Sequence, residues 1–241
     1  MNSKYLYLAL NLLSILIPLV ASFYARAPFY KKWKYLSVAI LVPALIFIIW
    51  DEIFAMHGIW GFNPQYLLGY YVGNLPVEEI LFFICIPYAS VFIYFALNHL
   101  IKRDIFYFQQ DIISSVLAVA MIVTGAFNLN KTYTATIFLL GGFLIAFHVL
   151  KLRSRYISRF YVAYLVTLIP FFIVNGILTG SFISGEVVWY NNQENLNLRI
   201  GTIPVEDIFY GMVLILLNVT IYEWLQPKPA TKRKGCESQP L

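Results

Sequence analysis

Seven apolar runs govern what this chain can become, over about residues 5–24, 34–55, 77–97, 112–127, 132–150, 157–178 and 204–225. An α-helix needs roughly 20 apolar residues to cross a bilayer core of about 30 Å. Inside lipid no water satisfies backbone N–H and C=O groups, and a helix satisfies nearly all of them internally. Only 12% of residues are charged and the mean hydropathy is +0.72, whereas soluble domains carry about 25% charged residues. The expected class is therefore an all-α integral membrane protein with seven transmembrane helices. The fourth run is the shortest.

One stretch occurs twice. Leu75-Pro76-Val77-Glu78-Glu79-Ile80-Leu81-Phe82-Phe83 returns 128 residues later as Ile203-Pro204-Val205-Glu206-Asp207-Ile208-Phe209-Tyr210. At the same offset Asn63 matches Asn191 and Tyr5 matches Tyr133. Runs one to three thus match runs five to seven, as an internal repeat. The expected organisation is a first three-helix repeat over 1–100, a linker helix over 101–131, a second repeat over 132–226 and a disordered basic tail over 227–241. Four crossings separate run one from run five, so the repeats are expected to be parallel, about an axis along the membrane normal. Ala25-Arg26-Ala27 resembles a signal-peptidase site. Run one is longer than a usual signal core and has a partner later in the chain, so it is expected to be retained.

Charge gives the orientation. Fourteen lysines and arginines, among them Lys31, Lys32, Arg103, Arg153 and Lys232, fall on one side of a seven-span arrangement, and only Lys4, Lys131 and Arg199 on the other. The positive-inside rule then places the C-terminus in the cytoplasm and the N-terminus outside. The basic residues lie in loops, so the pI near 9.1 does not indicate a nucleic-acid partner. The basic tail is suited to anionic lipid.

Four of the chain's 12 acidic residues sit in the two copies. Intramembrane ionisable residues are costly and mark functional sites. A plainer reading is also available: proline starts a helix and a following glutamate satisfies free N–H groups at its positive end. Burial and a neighbouring carboxylate oppose that end effect and favour a held proton. Phe82 lies one turn after Glu78, and Tyr210 one turn after Glu206, so both rings can border an acid site. Asp51 and Asn175 end runs two and six on the same outer side. Trp60 with Asn63, and Trp189 with Asn191, precede the two motifs in long loops that cap the helix heads.

Other chemistries lack their signatures. Neither a dinucleotide fingerprint nor a phosphate loop occurs, and the three histidines have no metal-ligand spacing. Cys85 and Cys236 do not make a disulfide framework. Run seven carries no lysine between Ile203 and Trp224, which removes a retinal Schiff base.

With both motifs and their loops in view, the chain resembles the lycopene cyclase domain family, the small flavin-independent carotenoid cyclases of membranes, in the form that fuses two repeats. The resemblance spans nearly the whole chain. It implies lycopene β-cyclase activity in carotenoid biosynthesis, with no cofactor and no metal. An acid protonates a terminal double bond, the carbocation closes a six-membered ring, and a base takes a proton. It further implies Glu78 and Glu206 as principal acid/base residues, with Glu79 and Asp207 tuning them. Asp51, Trp60, Asn63, Phe82, Asn175, Trp189 and Tyr210 are the expected substrate-binding residues, and Glu78→Gln is expected to abolish cyclisation. A linear carotenoid, membrane lipid and other carotenoid-pathway enzymes are the implied partners, in a bacterial cytoplasmic membrane. Two rivals fit the same plan. A parallel-repeat transporter predicts a water-filled path, and a non-catalytic carotenoid- or lipid-binding protein predicts pigment recovered unchanged.

Overall fold

The computed structural model describes residues 3–227; the predicted tail lies outside them from residue 228. Seven α-helices account for most of the chain: α1 (Leu6–Ala21), α2 (Trp33–Met56), α3 (Val77–Leu100), α4 (Gln110–Phe127), α5 (Thr132–Phe147), α6 (Ile157–Leu178) and α7 (Val205–Leu225). Six are long and apolar enough to cross a membrane, α2 with the turn before it and α5 with the π-helical turn His148–Leu152 after it. The protein is a multi-pass helical membrane protein. α1 is an apolar helix of 16 residues, shorter than the run that predicts it. The chain turns off at Ser22, whose hydroxyl donates back to the Pro18 carbonyl at 2.7 Å.

Pro18, Pro43, Pro87 and Pro170 lie inside helices. Membrane helices tolerate them because neighbouring groups re-satisfy the freed carbonyls. Pro76 and Pro204 instead stand at the N-caps of α3 and α7 in extended conformation, so helix begins at the following valine.

The two long loops fold into small antiparallel pairs. β1 (Trp60–Phe62) joins β4 (Val188–Tyr190), and Gly61 opposes Trp189. Those two positions are themselves 128 apart, so the ladder is centred on matching residues. β2 (Tyr71–Val72) with β3 (Leu75–Pro76), and β5 (Arg199–Ile200) with β6 (Ile203–Pro204), are hairpins leading into α3 and α7. Gly73 and Gly201 open their turns at φ 64° and 65°, where a side chain is strained.

The same offset recurs in the backbone hydrogen bonds. Val77 N–H donates to the Tyr70 carbonyl and Val205 N–H to that of Leu198. Asn63 N–H reaches the Val187 carbonyl while Asn191 N–H reaches that of Ile59. Helix packing follows suit: α1 lies on α3 as α5 lies on α7, and α2 and α6 each touch both α3 and α7.

The fourth helix breaks this correspondence, because it packs chiefly along α5, with the Ser114 hydroxyl reaching that of Tyr161 on α6 at 2.6 Å. The contact is close. A Cβ added to Gly142 would sit 3.0 Å from the Ala118 carbonyl oxygen, and one on Gly125 would sit 3.0 Å from the Leu139 nitrogen. Small residues at such crossings let backbones approach where lipid supplies no hydrophobic drive. No fourth helix covers α1, whose Leu12, Leu16, Ile17 and Val20 are exposed.

Candidate active site

The first turns of α3 and α7 each carry two acids about 100° apart, and the fold sends the two in different directions. Glu78 and Glu206 turn to the loops. Glu78 Oε1 accepts from Leu68 N–H at 2.6 Å and Glu206 Oε1 from Leu196 N–H at 2.7 Å. Thr134 Oγ1 also donates to Glu206 Oε1 at 2.6 Å. Both side chains are fully buried, and the Oε2 of each has no partner among the described residues.

Glu79 and Asp207 turn the other way, into a cavity of about 690 Å³. Asp51, from the last two turns of α2, reaches the same space. Its carboxyl lies beside that of Glu79. Two buried carboxylates side by side repel each other, which favours a proton held between them. Asp207 has a different companion: Asn175 Nδ2 donates to its Oδ2 at 3.2 Å. Asn175 therefore plays against Asp207 the part that Asp51 plays against Glu79.

Tyrosines complete the site. Tyr7 donates to Glu79 Oε2 at 2.6 Å and Tyr133 to Asp207 Oδ1 at 2.7 Å. Tyr190 donates to Asp207 Oδ2 at 2.9 Å, and Tyr210 to Asp51 Oδ1 at 2.5 Å. Burial, with the Asp207 carboxyl adding to it, pushes the Tyr190 phenol well above its ordinary value. Its hydroxyl therefore stays a donor.

Trp60, Phe82, Asn175 and Tyr210, expected at a substrate site, all line the cavity. Asn63 and Trp189 do not. The Asn63 side chain accepts from Gln65 N–H and caps the turn at Pro64–Tyr66. The Trp189 ring lies over Gly61, where a Cβ would meet it at 2.3 Å. Tyr7, Tyr133 and Tyr190 are the site residues that sequence reasoning passed over. A strict 128-residue register pairs Tyr133 with Tyr5, yet the residue whose hydroxyl corresponds is Tyr7, at an offset of 126.

From the acids the cavity runs along apolar side chains of α1, α3, α6 and α7, including Leu10, Ile86, Ile93, Phe171 and Leu214. Glu79 and Ile93 are 14 residues apart on α3, about 21 Å along a helix axis. Buried Trp60 and Val188 of the β1/β4 pair help to roof the acid end. An apolar chamber of a few hundred Å³ with a small group of convergent polar groups is the usual form of a ligand site.

These features define a polytopic membrane protein with carboxyl groups at the head of a long apolar chamber, suited to acid/base chemistry on a lipophilic molecule. The sequence model of the family described as Lycopene cyclase matches residues 4–97 and 130–225, well over half of the chain and in two segments. The chain belongs to the lycopene cyclase family. A curated relative, the bifunctional lycopene cyclase/phytoene synthase of Aspergillus oryzae, is 29% identical over 66 residues, 27% of this chain and 11% of that protein. The aligned stretch is thus a small part of the relative's length. No solved structure matches.

Proposed function

We propose that this protein cyclises the linear ends of lycopene to β-rings, giving β-carotene, by proton transfer at the roofed end of the chamber. The observation that carries the reading is the meeting of Glu79, Asp51 and Asp207, contributed by both halves, in one largely apolar space. Such an isomerisation needs an acid, a base and an apolar volume together.

The donor arrangement assigns the roles. The Asp51–Glu79 pair shares a proton and delivers it to the terminal double bond. The neighbouring double bond attacks the resulting cation, a carbon–carbon bond closes the ring, and a C–H proton leaves to a carboxylate. Asp207 is the acceptor, because two tyrosines and Asn175 donate to it and favour its anion. No electrons are gained or lost overall. Trp60, Phe82 and Tyr210 line the same chamber as the acids, and an aromatic face stabilises a desolvated cation by about 2 kcal/mol. Glu78 and Glu206 act as positioning residues that tie the loops to the helix heads.

The membrane arrangement belongs to the same reading: seven spans, as two parallel three-helix repeats joined by α4, with the acids toward the non-cytoplasmic face and the C-terminus in the cytoplasm. The recurrence of hydrogen bonds at one offset supports the repeats, and the distribution of basic residues supports the orientation.

The test is pigment analysis of a lycopene-accumulating bacterium that expresses the chain, beside its Glu79→Gln variant. Conversion to β-carotene by the first and not the second is the expected result. Lycopene recovered unchanged, with the protein present in the membrane, favours a carotenoid-binding role instead.

A further inference from the structure

The duplicated motifs suggest two active sites, yet acids of both copies meet in one chamber, which extends toward α1 and α6. Its side wall lies between α1 and α6, which touch lightly. Leu13, Ile17 and Ile173 line the chamber while remaining 64, 75 and 62% exposed. The chamber therefore has a mouth there, facing the membrane. α1 is tethered above and below the mouth. Tyr7 and Asn11 bond to Glu79 and to the Glu78 carbonyl at the acid end, and Ser22 bonds to Tyr88 at 2.7 Å at the other.

On the matching side, between α5 and α2, the space is filled. Phe47 and Trp50 of α2 lie 5.1 and 5.6 Å from the Tyr210 ring, and Trp60 lies 5.1 Å from that of Tyr133. α4 clamps α5 from outside. Phe143, which stands to Ile17 as Tyr133 stands to Tyr7, is exposed but does not line this chamber.

Resting on the cyclase reading, we infer that both halves serve one chamber, entered from the lipid between α1 and α6, which processes one end of the substrate per visit. Lycopene has two identical ends joined by a conjugated polyene. Conjugation keeps that chain extended, so it cannot fold back to bring the second end to the same acids. The second end reaches them only after the molecule leaves and returns reversed. The product of one visit is a free monocyclic carotene.

The experiment reconstitutes the full chain in vesicles holding isotopically labelled lycopene and adds excess unlabelled lycopene after the first turnovers. Labelled monocyclic carotene in the vesicle pool is the expected result, either as the end product or with its conversion to bicyclic product slowed by the chase. Labelled bicyclic carotene that forms at the same rate with and without the chase overturns the inference and leaves the cyclase reading standing. No ring formation at all removes the cyclase reading, and the inference with it. Ile17→Trp tests the mouth. It is expected to lower turnover by roughly tenfold or more at unchanged protein level, while Phe143→Trp leaves it unaltered. Equal effects of the two substitutions overturn the placement of the entrance.

Discussion

Tyr210 of α7 donates to Asp51 of α2 at 2.5 Å, across 159 residues of sequence. The bond ties the second half of the chain to an acid of the first. Tyr210 occupies in α7 the place of Phe82 in α3, 128 residues earlier. The repeat has thus kept an aromatic ring at both positions and placed a hydroxyl on only one. A hydrogen bond to a charged or proton-sharing group contributes about 1.5–3 kcal/mol. Tyr210→Phe keeps the ring and removes the bond. It is expected to lower kcat/KM for cyclisation by roughly 10- to 100-fold, measured per folded protein, with a loss of stability no larger than about 1.5–3 kcal/mol. An unchanged rate in purified protein places Tyr210 among packing residues.

Adjacent acids in one motif should respond differently to the same change. In Glu78→Gln the amide oxygen still accepts from Leu68 N–H, and the new NH₂ replaces an oxygen that has no partner among the described residues. Most activity is expected to remain. Glu78→Ala leaves a buried donor unsatisfied at a cost of about 1–3 kcal/mol, so protein level falls. Glu79→Gln removes the proton held with Asp51, and cyclisation is expected to disappear at normal protein level. Rates for the three purified variants, normalised to folded protein, decide the matter. Loss of activity in Glu78→Gln with Glu79→Gln active returns the acid role to Glu78.

The apolar runs made the helices legible, since length and lipid leave a chain little choice. The duplicated Pro-Val-Glu motif also announced that both halves share one design. What the sequence did not carry is which acid faces inward. Glu78 and Glu79 are neighbours of nearly the same chemistry, and their division depends on Leu68 N–H, a group on a loop whose path no periodicity reports. Tyr7 was obscured for a related reason. A helical offset of 126 in α1 against 128 in the loops reflects two residues' difference in connection length, so strict register pointed to Tyr5. Tyr190 was hidden because its counterpart is Phe62, which carries no hydroxyl.

The α4–α5 crossing is expected to be the least tolerant helix contact. A Cβ on Gly142 would lie 2.6 Å from Ile122 Cγ1 as well as 3.0 Å from a carbonyl. Backbone cannot yield as a flexible side chain can, so Gly142→Val must part the two helices. Overpacking of this kind costs about 1–3 kcal/mol. The variant is expected to unfold at lower temperature in detergent, while Val119→Leu, on an exposed face of α4, matches the parent. Equal melting temperatures for both variants contradict the close contact.

Asp51→Asn offers the sharpest separation of donor from acceptor. The substitution makes the first half resemble the second: an asparagine amide then donates to Glu79 as the Asn175 amide donates to Asp207. Glu79 no longer needs a shared proton to complete its hydrogen bonds, and both principal acids become acceptors. General acid catalysis contributes about 10²- to 10⁴-fold, and a loss of that order is expected with the fold intact. Infrared difference spectra should lose the carbonyl stretch of a protonated carboxyl group in Asp51→Asn and in Glu79→Gln, and keep it in Asn175→Ala. The asparagine variant turning over at the parental rate, with that band still present, means that Glu79 holds its proton without Asp51. Such a result removes the paired donor and leaves Asp51 a positioning residue.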